Sequence, residues 1–249
     1  EARGKAHVHV VIIGLDRRAN ARAERRLFSY PDPKGAPEET RLKALSPYLF
    51  DAGALRDPHL VVREESRPIN GMKPLRFGSQ PIDGGHLIFS PNERALLLDK
   101  HPEADEFLRP FVGAREYLQD HSRFILDLHS AAPSQVKKVP EFIDRIRRVR
   151  ESRLDSKRPA TRDLAATPFE FAFKTIPDSA FLMIPSVSSE RREYVPFGFE
   201  EPPTIPSNLV SVLLEATLAD FALLTSAMHM AWLRHIGGRL KSDYRYSIG

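Results

Sequence analysis

A chain of 249 residues that is 41% hydrophobic and 28% charged can bury a sizeable core, which excludes disorder as its default state. The absence of cysteine excludes disulfides and thiolate zinc sites and fits a reducing, cytoplasmic setting. The formal charge is +4, yet residues 137–162 alone carry ten Lys or Arg against four Asp or Glu, so the basic excess is gathered into one local field suited to a polyanion.

The chain opens Glu1-Ala2-Arg3, with no Met and no apolar core before a small-residue cleavage site, so it reads as an internal piece of a longer protein without a secretory leader. The β-branched run 8–15 predicts a strand covered on both faces. Residues 16–46, rich in charge and holding Pro31-Asp32-Pro33, predict a linker with a domain boundary near Leu45. Short strands are predicted at 60–64 and 86–89, separated by turns such as Gln80-Pro81-Ile82-Asp83-Gly84-Gly85. Ser90-Pro91-Asn92-Glu93 offers an N-cap, a first-turn proline and a capping-box glutamate, which predicts a helix to about Asp99.

A second short helix is predicted at 102–108 and a strand at 124–128, and Pro140 opens a helix whose Phe142, Ile146 and Val149 share one face. Arg145 and Arg148 flank that face on one side, Arg147 and Arg150 on the other. Strands at 180–184 and 194–197 are predicted to be joined by a polar loop, and 209–214 reads as a further strand. Asp220 is a candidate cap for a final amphipathic helix, stopped at Gly237-Gly238 by the left-handed conformation open to glycine. The longest apolar stretch, 209–232, contains Glu215, Asp220 and His229, each costly in hydrocarbon, so no membrane span is expected. Strands and helices mix without regular alternation, which predicts an α+β class: a mixed, mainly antiparallel sheet with short helices, plus a C-terminal helical segment.

Three polar sets stand out as candidate nucleic-acid contacts. The first runs from the helix through Arg147, Arg150 and Arg153 into a loop with Lys157, Arg158, Pro159, Ala160 and Arg162. It is dominated by Arg, which suits phosphate forks and the paired acceptors of guanine, and it has few acidic neighbours to neutralise it. A solvated helix face or a domain interface is the alternative. The second set is Ser188, Ser189, Glu190, Arg191, Arg192 and Tyr194, whose groups match base edges: Arg to guanine, Glu to the cytosine amino group, Ser to either. The competing reading is a hairpin loop whose Glu and Arg pair with each other. The third set follows the last helix and includes Lys241 and Arg245.

Catalytic signals are poorer. His7 and His9 share one face of the predicted first strand, but no third metal ligand lies at a suggestive spacing. Asp127 could orient His129, yet no serine elbow or cysteine accompanies them. Pro31-Asp32-Pro33-Lys34 lacks the Glu-x-Lys of a nuclease site, and Glu201-Pro202-Pro203-Thr204 lacks the groups that grip a flipped adenine. No catalytic or metal-binding residue is therefore assigned, and no cofactor is expected within this chain. Two other classes remain: a module whose basic helix docks on an acidic protein partner, and a stand-alone nuclease or hydrolase using Asp127 with His129, or His7 with His9.

Six segments in order carry a resemblance: Leu45-Ser46-Pro47-Tyr48-Leu49, Gln80-Pro81-Ile82-Asp83-Gly84-Gly85-His86-Leu87, Phe111-Val112-Gly113-Ala114-Arg115-Glu116, Arg150-Glu151-Ser152-Arg153, Ser188-Ser189-Glu190-Arg191-Arg192-Glu193-Tyr194-Val195-Pro196 and Gly238-Arg239-Leu240-Lys241-Ser242-Asp243-Tyr244-Arg245-Tyr246-Ser247. Together they resemble the target-recognition and C-terminal regions of MmeI-like (type IIL) restriction-modification enzymes. The resemblance implies a parent polypeptide combining an endonuclease, an adenine-N6 methyltransferase using S-adenosylmethionine, and a region that reads double-stranded DNA. It implies that residues 1–45 are a terminal methyltransferase strand and linker, 46–203 the target-recognition domain and 204–249 a C-terminal strand-helix segment. It places base-reading positions around Pro159 and Ala160 and at Glu190, Arg191 and Arg192. The partners implied are double-stranded DNA and the rest of the parent polypeptide.

Overall fold

The computed structural model describes residues 11–17, 24–32, 34–65, 67–68, 71–119 and 121–248. The expected N-terminal strand falls largely on residues 1–10, which lie outside the described residues together with His7 and His9. Its described end, Val11 to Leu15, forms no strand, and Ile12 is 93% exposed.

The expected linker holds a hairpin instead. Strand β1 (Arg25–Ser29) pairs antiparallel with β2 (Glu38–Leu42), turning where the Gly35 amide donates to the Asp32 carbonyl at 2.9 Å. Only Leu42 on these strands is buried, so no apolar alternation announces the hairpin, and cross-strand charges such as Arg26 with Glu39 decorate it. The predicted strand at 60–64 is irregular: the Val62 amide donates to the Tyr48 hydroxyl at 2.7 Å, not to a neighbouring strand.

From β3 (Arg76–Phe77) and β4 (Ile88–Phe89) the chain enters α1 (Pro91–Lys100). The capping box forms as the sequence predicts: the Glu93 amide donates to the Ser90 hydroxyl, and the Ser90 amide donates to the Glu93 carboxylate at 2.8 Å. A 3₁₀ turn at Pro102–Phe107 leads into β5 (Leu108–Val112), α2 (Ala114–Gln119) and β6 (Phe124–Leu126). Helices α3 (Pro133–Lys138), α4 (Pro140–Leu154) and α5 (Pro159–Asp163) follow, each opened by a proline that lacks only an amide the first turn leaves unbonded. A second 3₁₀ turn spans Leu164–Ala166.

The remaining strands are β7 (Phe181–Pro185), β8 (Val187–Ser188), β9 (Gly198–Glu200), β10 (Ile205–Pro206) and β11 (Val210–Leu214). The predicted strand at 194–197 thus begins four residues later, at Gly198. The chain closes with α6 (Leu218–Leu224), α7 (Ala227–Ile236), β12 (Gly238–Leu240) and β13 (Asp243–Arg245). One final helix was expected, but Thr217 and Ser226 each cap a helix with a side-chain hydroxyl, and the pair replaces it. Asp220 is the third residue of α6, reaching back to Thr217, and is not the cap. Gly237 ends α7 at φ −63°, so the left-handed stop predicted there is not used.

These elements form an α+β fold. One sheet has the order β10-β5-β6-β4, and its only parallel pair is β10 with β5. Helix α4 lays Phe142 and Val149, both fully buried, on that sheet beside Leu87, Phe107, Ile125 and Leu126. Phe142 meets Phe107 edge to face with centroids 5.9 Å apart, and truncating such a ring to Ala costs about 3–5 kcal/mol. A second sheet, β3-β11-β7-β9, is covered on both faces at its central strands β11 and β7. Leu182 and Ile184 point toward α7, while Phe181 and Met183 pack with Val112 and Tyr117 next to the first sheet. That double coverage is why β7 reads as a continuous apolar run.

A seam locks the two sheets together. The Ser79 amide donates to the Pro206 carbonyl at 2.6 Å, its hydroxyl donates to the Thr175 carbonyl at 2.8 Å, and the Ser207 amide donates to the Val112 carbonyl at 2.8 Å. Gly78 is required at this seam, since a Cβ there would lie 2.1 Å from the Ser207 carbonyl oxygen.

Candidate nucleic-acid interface

The basic excess of residues 137–162 divides by burial. Two of its arginines are interior. Arg145 lies over the Phe89 ring, 3.6 Å from its centroid, and donates to the carbonyls of His86 and Ile88 and to the carboxylates of Glu93 and Glu141. Arg153, expected among the DNA contacts, is only 1% exposed and spends its guanidinium on backbone carbonyls, so it cannot touch a bound duplex directly. The sequence showed both as cations at helical spacing; nothing local distinguishes a buried one from an exposed one.

The exposed cations also divide. Arg147 pairs with Asp144 and Glu151, and Arg148 shares Asp144, which matches the solvated-face reading for this part of α4. Beyond it, Arg150, Lys157 and Arg158 are exposed and make no ion pair among the described residues. Lys157, Arg158, Pro159 and Ala160 sit together at the exposed junction into α5, where the Arg162 guanidinium donates back to the Ser156 carbonyl at 2.9 Å.

The second and third sets, separated by about fifty residues in sequence, are one structure. Strands β12, β13 and β8 form a three-stranded antiparallel sheet in which Tyr244 pairs with Ser188 and Arg245 with Val187. The Tyr246 amide donates to the Ser186 carbonyl at 2.9 Å, and the Glu190 amide donates to the Asp243 carboxylate at 3.3 Å. Arg234 on α7 donates to the Glu193 carbonyl at 2.9 Å. The loop from Ser189 to Glu193 is therefore anchored by the hairpin and by α7, while its own turn is closed by the Arg192 amide on the Ser189 carbonyl. Asp243 and Arg234 were missed in the sequence because their partners lie 53 and 41 residues away.

On this scaffold Glu190 and Arg191 are exposed and Arg192 is half-buried. None of the three makes an ion pair among the described residues, so the reading in which Glu and Arg neutralise each other does not hold. Tyr194 is 39% exposed, and Lys241 and Arg245 project from the adjoining hairpin without side-chain partners among the described residues. Ser188 is the exception in this set. It is 4% exposed, paired within β8, and removed from the contact surface by burial.

The sheet rests on an aromatic support. The His229 ring meets the Tyr246 hydroxyl at 3.1 Å, and Phe197 stands edge-on to Tyr246 with centroids 5.6 Å apart. Burial pushes the His229 pKa below its ordinary value and the Tyr246 pKa above its own, so both side chains are held neutral. The α4–α5 set stands on the first sheet's core, and no hydrogen bond or ion pair among the described residues joins it to the β8–β13 set.

The hydrolytic candidate is a dyad without a nucleophile. His129 Nδ1 lies 2.8 Å from the buried Asp127 carboxylate, and no serine or threonine is bonded to that ring among the described residues. No group of three His, Asp or Glu side chains among the described residues is arranged to hold a metal ion, and no described helix is long and apolar enough to cross a membrane.

Residues 56–249 match the family model described as MmeI, target recognition domain. This chain belongs to the MmeI target recognition domain family. Over 253 aligned residues it is 34% identical to the Bacillus subtilis (strain 168) protein named DNA methyltransferase A, covering 100% of this chain and 27% of that protein. A solved structure of the type IIL restriction-modification enzyme MmeI in complex with DNA superposes with a TM-score of 0.82 at 34% identity, covering 90% of this chain and 29% of that one. The chain thus spans under a third of each relative. The hairpin β1–β2 precedes the MmeI target recognition domain match, whereas the loop 189–193, the α4–α5 junction and the C-terminal hairpin all lie inside it.

Proposed function

We propose that this chain reads the sequence of double-stranded DNA on behalf of a restriction-modification enzyme that methylates adenine at N6. The observation that carries the reading is the loop 189–193. It places an unneutralised Glu190 beside Arg191 and Arg192 on a three-stranded support that adds Lys241 at its hairpin turn and Arg245 on β13. Unpaired carboxylate and guanidinium groups held this way match the donors and acceptors of major-groove base edges, whereas a passive surface loop would pair them. In this reading Arg191, Arg192 and Glu190 contact bases, with Pro159 and Ala160 forming a second base-facing edge. Arg150, Lys157, Arg158, Arg162, Lys241 and Arg245 contact phosphates, with Ser189 and Tyr194 as polar flanks.

The recognition region proper begins after about Leu45. The chemistry belongs to the part of the polypeptide outside these 249 residues. S-adenosylmethionine is assigned to that other part by the family resemblance alone. A cytoplasmic location fits DNA as the substrate.

The division of roles is tested in the full-length protein by comparing Arg191→Ala with Lys157→Ala on a randomised duplex library and across a salt series. Losing a base contact should relax one position at a cost of about 1–3 kcal/mol, while losing a phosphate contact should weaken all sequences alike and reduce the salt slope by about one. Identical behaviour of the two variants on every sequence would sink the assignment. Docking on an acidic protein would instead leave DNA binding untouched by both.

A further inference from the structure

We propose that Arg153 is a positioning residue for base recognition, a buried guanidinium that clamps both ends of the 154–164 excursion and so sets where Pro159 and Ala160 meet the DNA. The proposal rests on the DNA-reading function above.

All five N–H donors of this guanidinium are used, each by a backbone carbonyl. Its Nε donates to Ile82 at 2.8 Å, Nη1 to Leu164 at 2.7 Å and Thr167 at 2.9 Å, and Nη2 to Pro81 at 2.9 Å and Glu170 at 2.7 Å. These acceptors come from two segments, 81–82 and 164–170, with α4 supplying the arginine. The excursion leaves α4 at Leu154, next to the clamp, and returns at Leu164, whose carbonyl the clamp holds. Between those points lie the exposed Lys157, Arg158, Pro159 and Ala160. Reading a base edge requires placement to within about half an ångström, which a free surface loop does not supply.

The local structure bears costs that a simple helix end would not incur. Burying a cation against neutral carbonyls is expensive, and burial does push the Arg153 pKa down from its ordinary value, opposed by the charges of Asp83 and Glu170. Ile82, a β-branched residue, is held at φ 49°, a region such residues rarely enter, with its carbonyl on Arg153 Nε. Gly84 follows at φ 66°, and a Cβ there would lie 2.5 Å from the hydroxyl of Ser152, the neighbour of the clamp. A strained turn and a buried charge converge on one side chain, the pattern found where structure is held for function.

The test uses Arg153→Lys and Arg153→Met in the full-length protein, with binding to the randomised duplex library followed by sequencing. Ala160→Asn identifies the positions read through the α5 edge, and Arg191→Ala those read through the other loop. Arg153→Lys keeps the charge but offers three donors from one point, which cannot span five carbonyls. The expected result is about a tenfold loss of discrimination at the α5-dependent positions, with the Arg191-dependent positions unchanged. Equal loss at all positions, in step with lost thermal stability, would reduce Arg153 to a fold residue, and unchanged discrimination would also overturn the proposal. Should both variants fail to fold, hydrogen exchange on the unaltered protein decides. Amides of 158–170 protected like those of α4 before DNA is added support a preset edge, and rapid exchange that slows only on binding refutes it. If Ala160→Asn and Arg191→Ala both leave every base preference intact, the recognition reading itself has failed, an outcome distinct from failure of the clamp alone.

Discussion

Replacing Lys241 by Gly should make the protein more stable and a poorer DNA binder. Lys241 is the first of two residues joining β12 to β13, where Leu240 faces Asp243, and it adopts φ 58°. An L-residue in that region bears roughly 1–2 kcal/mol of steric cost, which glycine does not. Glycine returns roughly 0.4–1 kcal/mol of that gain by freeing the unfolded chain. The Lys241 side chain is exposed and has no partner among the described residues, so no contact offsets the difference. The net expectation is a gain of about 0.5–1 kcal/mol, or a rise in Tm of about 1–4 °C for a chain of this size. Binding should move the other way, with the log–log salt slope falling by about one as a phosphate contact is lost. Lys241→Ala separates the two effects, because it removes the cation and keeps the strain: the slope falls and Tm does not rise. Thermal unfolding and a salt-titrated binding assay on the full-length protein read both quantities. A glycine variant that binds with an unchanged slope would remove Lys241 from the interface, and one that melts lower would refute the strain argument.

Two further outcomes follow from the geometry. Burial lowers the His229 pKa below the 6.5 of an unfolded histidine, so as pH falls through about 6.5 the unfolded chain takes up its proton first and stability drops. Thermal midpoints measured from neutral to mildly acidic pH should therefore decline more steeply for the unaltered protein than for His229→Gln, and parallel curves would contradict the assignment. Gly78→Ala forces a Cβ to 2.1 Å from the Ser207 carbonyl at the seam between the sheets and should cost about 1–3 kcal/mol in urea unfolding; an unshifted midpoint would mean the seam is not rigid.

Local chemistry was read correctly where the deciding contacts lie within a few residues. The Ser90–Glu93 capping box, the proline that opens α4, its buried Phe142 and Val149, and the apolar β7 and β11 all appear close to where the sequence places them. The failures share a cause. The β1–β2 hairpin is held by a ladder between polar strands and by cross-strand charges, so it carries no alternation to read. Val62 has strand composition but finds a tyrosine hydroxyl instead of a strand partner. Arg153 and Ser188 carry groups suited to DNA, but packing decides whether such groups reach solvent.

The same division runs through the candidate site. Composition and charge grouping alone singled out three polar sets as candidate contacts for a polyanion, and the order of its short motifs pointed to the family, because side-chain chemistry and motif order are written residue by residue. Only the tertiary structure decided which cations are free to bind. It turned Arg145 and Arg153 inward, paired Arg147 with its helical neighbours, and joined the loop at 189–193 to the hairpin at 238–245 through bonds spanning some fifty residues. Burial and long-range pairing are properties of the folded chain as a whole, and no local stretch of it encodes them.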